Sequence, residues 1–134
     1  AVIGGEGNGG VIYPSLPYGR DALAGIALFL SLLAESGMTC SQLRSTYPDY
    51  VISKNRVDLS PDTDPDELIK MINKELYKNV VSTEDGLLLE YGKGWVNVRK
   101  SNTEPILRIY SEGKNREDAD SLAGKIIKIV KRLS

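Results

Sequence analysis

The chain has 134 residues, a length that fits one domain, or one domain with part of another. It carries 17 basic and 18 acidic side chains. This balance argues against binding to nucleic acid or to an anionic membrane surface, because both need a positive field. Cys40 is the single cysteine, which excludes an internal disulfide and favours a reducing, cytoplasmic location. There is no histidine, so this chain cannot form a Ser-His-Asp triad, a Cys-His dyad or a histidine-ligated zinc site.

Residues 1–45 are predicted to form a strand, a glycine-rich loop and an apolar helix. The strand would end at Val2 and Ile3, and the helix would run from about residue 19 to residue 35. Its uncharged part would span roughly 20 Å, which is too short to cross the ~30 Å core of a bilayer. One strand and one helix cannot bury their own apolar surface. We therefore expect this region to be the tail of a larger α/β domain, and the chain to be the C-terminal part of a longer protein.

Residues 46–54 are predicted to be a linker, and residues 55–134 to be a compact α+β domain. A short helical turn is expected at residues 41–45. Strands are expected at about residues 50–59, 87–91, 95–100 and 106–112, and helices at about residues 65–78 and 116–133. The order β-α-β-β-β-α favours an antiparallel sheet with both helices on one face.

The first loop with potential chemistry is residues 4–10. Its glycines formally fit the dinucleotide-binding pattern G-x-G-x-x-G. A dinucleotide site requires a helix that starts at the loop, however, and Pro14 and Pro17 prevent a helix from starting there. A surface turn without function is one alternative. The other starts from Glu6 and Asn8, which the glycines frame. A carboxylate and a carboxamide suit the vicinal hydroxyls of a sugar, and glycines allow close approach of the backbone.

The second loop is residues 99–105, Arg-Lys-Ser-Asn-Thr-Glu-Pro, which joins two predicted strands. Successive backbone amides in a tight turn can bind an anion, and an arginine fork can hold two phosphate oxygens. The alternative is an ordinary polar turn with solvated charges.

Taken together, the two loops resemble those of the α-D-phosphohexomutases (phosphoglucomutase, phosphomannomutase and phosphoglucosamine mutase). Residues 5–10, Gly-Glu-Gly-Asn-Gly-Gly, are similar to the sugar-binding loop of archaeal members. Residues 94–105 are similar to the C-terminal phosphate-binding loop, R-x-S-x-T-x-P. The resemblance spans essentially the whole chain. It implies that residues 1–45 end the third, α/β domain and that residues 55–134 form the fourth domain, with a fold like that of the TATA-binding protein.

The resemblance also implies roles for individual residues. Glu6 and Asn8 would bind sugar hydroxyls, and Arg20 and Arg108 are two further candidates for contact with the substrate. The non-transferred phosphate would be bound by Arg99, Ser101, Asn102 and Thr103. No catalytic residue and no metal ligand is expected in this chain, because the catalytic phosphoserine and the D-x-D-x-D loop for Mg²⁺ belong to the preceding domains of the family.

The activity implied is the interconversion of hexose 1-phosphates and hexose 6-phosphates through a phosphoserine and a bisphosphate intermediate. The partners would be a phosphosugar (a glucose, mannose or glucosamine phosphate) and the N-terminal domains of the same enzyme, without which this chain would be inactive. The alternative is a stand-alone, non-catalytic module that binds phosphosugars or another protein.

Two other features are expected to be structural. Asp62, Asp64 and Asp66 alternate like a metal loop, but they precede a predicted helix, where Asp64 would cap the first turn and the other acids would favour the helix dipole. Cys40 has no partner base visible in the sequence and is expected to be an inert thiol.

Overall fold

The computed structural model describes residues 1–5, 9–16 and 19–134. These residues divide into two compact units, residues 1–48 and residues 49–134. Glu6 and Asn8, the predicted sugar-binding residues, lie outside the described residues.

Within its described residues, the first unit contains two very short strands and two helices. Strand β1 (Gly4–Gly5) pairs antiparallel with β2 (Val11–Ile12), and α1 (Ala22–Ser36) and α2 (Cys40–Ser45) follow. The strand therefore lies at residues 4–5 and not at Val2 and Ile3. The reason is that β1 needs β2 as its partner, and the chain beyond the glycine loop brings β2 opposite residues 4 and 5.

Capping residues set the ends of α1. The helix begins at residue 22, later than predicted, because the Asp21 side chain accepts a hydrogen bond from the Ala24 N–H at 2.9 Å and so acts as N-cap. It ends at Gly37, whose φ of 64° and N–H bond to the Leu33 carbonyl form the C-cap. The short helix α2 is capped by Thr39, which forms a reciprocal capping box with Gln42.

Helix α1 keeps much of its apolar surface exposed. Ala24 is its one buried residue among those described. The exposed large side chains are Leu23, Ile26, Leu28, Phe29, Leu30 and Leu32. This exposure follows from the small size of the unit, since two two-residue strands cannot cover a helix of 15 residues. None of the helices in the described ranges is long and apolar enough to cross a membrane.

The second unit has the predicted α+β class. A five-stranded antiparallel sheet has the order β3-β7-β6-β5-β4. Its strands are β3 (Val51–Asp58), β4 (Val80–Ser82), β5 (Leu87–Tyr91), β6 (Gly94–Lys100) and β7 (Ile106–Gly113). Helix α3 (Pro65–Leu76) continues into a 3₁₀ turn (Tyr77–Asn79), and α4 (Arg116–Leu133) ends the fold.

Strand β4 is absent from the sequence prediction. Three residues are too few to show the alternation that identifies a strand, and β4 forms because it completes the sheet edge beside β5.

Both helices pack on one face of this sheet. The core combines one face of the strands with the apolar sides of α3 and α4, and its large, fully buried members are Leu68, Ile72, Leu87, Leu89, Val96, Val98, Leu107, Ile109, Ile126 and Val130. Because side chains alternate along a strand, the odd-numbered residues of β7 point into this core and the even-numbered ones point to the opposite face. We call that opposite face, which neither α3 nor α4 covers, the open sheet face.

Candidate functional site

A cavity of about 650 Å³ lies where β6 ends and the loop to β7 begins. Three segments form its walls: the loop at residues 99–103, the turn between β4 and β5 at residues 83–86, and one side of α3 between residues 66 and 73. Helix α3 contributes Asp66, Ile69, Lys70 and Asn73, and strand β7 contributes Arg108. The volume is within the range of small-molecule sites, roughly 300–1,000 Å³.

The loop after β6 is closed by its own backbone. The Ser101 N–H donates to the Ile106 carbonyl at 3.1 Å, and the Ile106 N–H donates to the Glu104 carbonyl at 2.8 Å. The Leu59 N–H donates to the Pro105 carbonyl at 2.9 Å, which ties the loop to the end of β3. Asn102 and Thr103 remain exposed and Ser101 is half-buried, so this short segment presents two hydroxyls and an amide at the cavity.

The guanidinium of Arg99 is held on two sides. Its Nη1 donates to Asp85 Oδ2 at 3.0 Å, and its central carbon lies 5.6 Å from the centre of the Tyr110 ring. Stacking on an aromatic face restricts the plane of the guanidinium, and the carboxylate fixes its rotation. Arg99 is thus oriented by its neighbours in the protein.

The turn that carries Asp85 is itself fixed against β6. Asn97 Nδ2 donates to the Asp85 carbonyl at 3.1 Å. Gly86 has a φ of 74°, and a β-carbon at this position would lie 2.2 Å from the Val98 carbonyl oxygen. Only glycine permits so close an approach in the left-handed region. Neither Asp85 nor Tyr110 was predicted as a site residue from the sequence. The Asp-Gly pair at residues 85–86 signals a turn, but it does not indicate which residue the turn contacts.

Lys100 faces α3 instead of the open sheet face. Its Nζ lies 2.7 and 2.6 Å from the two carboxylate oxygens of Asp66, in the first turn of the helix. Both side chains are about half exposed, so this pair adds little stability. Its consequence is geometric, since it joins the end of β6 to the cavity wall formed by α3.

The remaining predicted residues fall in different places. Arg108 lines the cavity, with its Nη2 4.0 Å from Glu104 Oε2. Arg20 is exposed in the first unit, directly before the Asp21 cap. Asp64 caps α3 as predicted, accepting from the Asp66 N–H at 2.9 Å. In the part of the chain that the structure describes, no group of three or more Asp, Glu, His or Cys side chains is placed to hold a metal ion.

Two shifted pKa values lie at the other end of β6, around the hairpin of residues 91–94. A hydrogen bond from Lys93 to Asp118 raises the pKa of the lysine, and burial raises the pKa of the Tyr91 hydroxyl. The electrostatics of the cavity depend instead on ion pairs. It is lined by four cationic side chains, Lys70, Arg99, Lys100 and Arg108, and by three carboxylates, Asp66, Glu84 and Asp85.

Known protein-family models match both units of the chain. Residues 60–129 match the sequence model of the phosphoglucomutase/phosphomannomutase C-terminal domain, which is more than half of the chain. The chain belongs to this family. Residues 1–50 match the model of the family's alpha/beta/alpha domain III.

Individual relatives place the chain among largely archaeal sequences. It is 38% identical over 132 residues to the phosphoglucosamine/phosphogalactosamine mutase of Sulfurisphaera tokodaii, covering 97% of this chain and 29% of the relative. It is 39% identical over 119 residues to the phosphoglucomutase/phosphomannomutase of Thermococcus kodakarensis, covering 87% of this chain and 26% of the relative. A crystal structure of a family protein from Burkholderia thailandensis superposes with a TM-score of 0.74 at 23% identity, covering 99% of this chain and 28% of that one.

These findings confirm the family resemblance and the α+β fold. The chain spans less than a third of the length of these relatives. The domain boundaries predicted at residues 45 and 55, and the roles predicted for single residues, stay predictions.

Proposed function

We propose that this chain is the sugar- and phosphate-binding part of a phosphohexomutase, an isomerase that moves a phosphate between positions 1 and 6 of a hexose. The observation that carries the proposal is the cavity at residues 99–103, where an oriented arginine, two hydroxyls and an amide converge. The family of the chain, which is named for phosphosugar mutases, indicates the kind of ligand. Fixed donors around a concave site are what recognition of a phosphate ester requires.

Arg99 is the main anchor in this proposal. A guanidinium has five N–H donors, and Asp85 accepts from Nη1, so the fork retains further donors for a ligand. Ser101, Asn102 and Thr103 would add hydrogen bonds from shorter side chains, and Arg108 would add a second cation. Because the charges of the cavity nearly cancel, short-range hydrogen bonds rather than a net positive field would select the phosphate.

The cavity would hold the phosphate that does not react. Phosphoryl transfer depends mainly on positioning and on electrostatic stabilisation, so a distant clamp on the substrate contributes directly to the rate. The transfer itself would be the work of a phosphoserine and a Mg²⁺ ion in other domains of the complete enzyme. Glu6 and Asn8 would bind hydroxyls of the sugar, and Arg20 is a further candidate for contact with it.

The substrates proposed are glucose, mannose or glucosamine phosphates, in line with the names of the relatives. Recognition of hydroxyls that these sugars share would allow one loop to serve several of them. The chain by itself is expected to be inactive, and a coupled assay that detects conversion of glucose 1-phosphate by the chain alone would contradict this assignment.

An amide NMR titration of the 134-residue chain tests the binding role. Inorganic phosphate, glucose 6-phosphate and mannose 6-phosphate should each shift the signals of residues 99–103, and only the sugars should also shift Glu6 and Asn8. Arg99→Gln should weaken binding, whereas Lys128→Gln, a matched loss of charge on the exposed side of α4, should not. Equal binding by both variants, or no shift in the loop at millimolar ligand, would refute the role of the loop.

A further inference from the structure

The open sheet face carries a row of three arginines. Arg56 on β3 lies directly opposite Arg108 on β7, and Arg108 lies directly opposite Arg99 on β6. Directly opposed residues in an antiparallel sheet have β-carbons ~4.5–5.5 Å apart, and like charges in such pairs are destabilising. Three adjacent guanidinium groups therefore cost stability unless an anion neutralises them.

Nearby carboxylates neutralise two of these arginines only weakly. Arg56 Nε lies 4.0 Å from Asp58 Oδ1, and Arg108 Nη2 lies 4.0 Å from Glu104 Oε2. Both distances exceed the length of a hydrogen bond, ~2.7–3.2 Å. Arg99 differs, because its contact with Asp85 is 3.0 Å. The weakly paired end of the row is thus at Arg56 and Arg108.

A second, smaller cavity lies over this end of the row. It has a volume of about 270 Å³ and is separate from the cavity at the phosphate loop, although Arg108 borders both. Its charged lining consists of Lys54, Arg56 and Arg108 against one carboxylate, Glu104. Lys54 Nζ lies 5.8 Å from the centre of the Tyr110 ring, which forms part of the floor. Among the lining side chains, cations therefore outnumber carboxylates by two in this cavity and by one in the larger cavity.

We propose that Lys54, Arg56 and Arg108 form a second anion-binding site, the sheet-face site, which takes a phosphate dianion. A phosphate group would bring negative charge to this weakly neutralised cluster, and two arginine forks are the side chains best suited to phosphate oxygens. The ligand is a phosphate group, either free or esterified to a small molecule. The proposal shares Arg108 with the proposed function but does not depend on mutase activity, because it follows from the strand register, the second cavity and its charges.

The test is a titration of the 134-residue chain with inorganic phosphate at constant ionic strength, followed by the amide signals and the arginine Nε–H signals. Residues 54–56 should respond with a midpoint of their own, different from that of residues 101–103. Arg56→Gln should weaken the response of the sheet-face site by about tenfold or more, the value of one lost charge-assisted hydrogen bond. The midpoint of the loop should stay within about twofold, which is far below one such bond.

Two matched variants complete the design. Thr103→Ala should weaken binding at the loop and spare the sheet-face site, and Lys128→Gln should change neither. All three positions are exposed, so the variants are expected to fold, and their amide spectra verify this. A parallel titration with glucose 6-phosphate distinguishes the sources: equal midpoints assign the site to any phosphate group, and a lower midpoint for the ester assigns it to a phosphorylated sugar. The proposal is overturned if residues 54–56 follow the loop in every variant, or if Arg56→Gln changes nothing.

Discussion

Gly86 provides the sharpest test of how the cavity is built. We predict that Gly86→Ala destabilises the second unit by about 3 kcal/mol or more. The left-handed backbone alone costs an alanine roughly 1–2 kcal/mol. The new β-carbon would also lie 2.2 Å from the Val98 carbonyl oxygen and 2.9 Å from the Arg99 β-carbon. Val98 belongs to a central strand and is fully buried, so the backbone there cannot move away without breaking the pairing of β5 and β6.

Urea unfolding measures this loss directly. Trp95, the single tryptophan, lies on β6 and reports by fluorescence on the second unit. With a slope of ~1–3 kcal/mol per molar urea, the midpoint should fall by more than about 1 M. Gly92→Ala is the matched control, since a β-carbon there would meet no atom within 4 Å, and its effect should stay within about 0.5 kcal/mol. Equal midpoints for the two variants would refute the argument from close approach.

Four further predictions concern separate steps of the reasoning. Gly124→Ala, in the interior of α4 where a β-carbon meets nothing, should stabilise the chain by about 0.5–1 kcal/mol in the same urea assay. Asp64→Ala should cost about 1 kcal/mol through loss of the N-cap of α3, with Asp62→Ala as a near-neutral control. Arg99→Lys keeps the charge but loses the fork, so phosphate affinity in a calorimetric or NMR titration should fall by about tenfold; unchanged affinity would exclude two-point binding. Phosphate-ester affinity should rise as the pH increases through about 6, because the ligand becomes a dianion while arginine stays charged, and a flat profile from pH 5 to 7.5 would contradict recognition of the dianion.

Local signals in the sequence predicted much of the second unit. Helix α4 was expected at residues 116–133 and is found there. Asn115 caps its N-terminus, acidic residues lie in its first turn and basic residues lie in its last turn. Helix α3 likewise begins at Pro65, behind the Asp64 cap, as expected. In both helices the start is fixed by residues adjacent in sequence, which is why sequence reasoning could locate it.

The errors occur where distant parts of the chain decide the structure. Strand β4 exists through its pairing with β5 and has no pattern of its own. Helix α1 is the exception, because its start at residue 22 is set by the adjacent Asp21 cap, a local signal that the longer apolar run obscured. The family motif pointed to the loop at residues 99–105, whereas Asp85 and Tyr110, which contact Arg99, lie 14 residues before that arginine and 11 residues after it.

Strand register explains why the arginine row was also invisible in the sequence. Arg56 and Arg108 are 52 positions apart, and they become neighbours only because β7 lies between β3 and β6 in the sheet. A shift of one residue in either pairing would send one of the arginines to the buried face, where an unpaired charge is not tolerated. The hydrophobic residues that alternate with them, Val57, Leu107 and Val98, therefore fix the positions of the charges. In this sheet the packing of one face determines the electrostatics of the other.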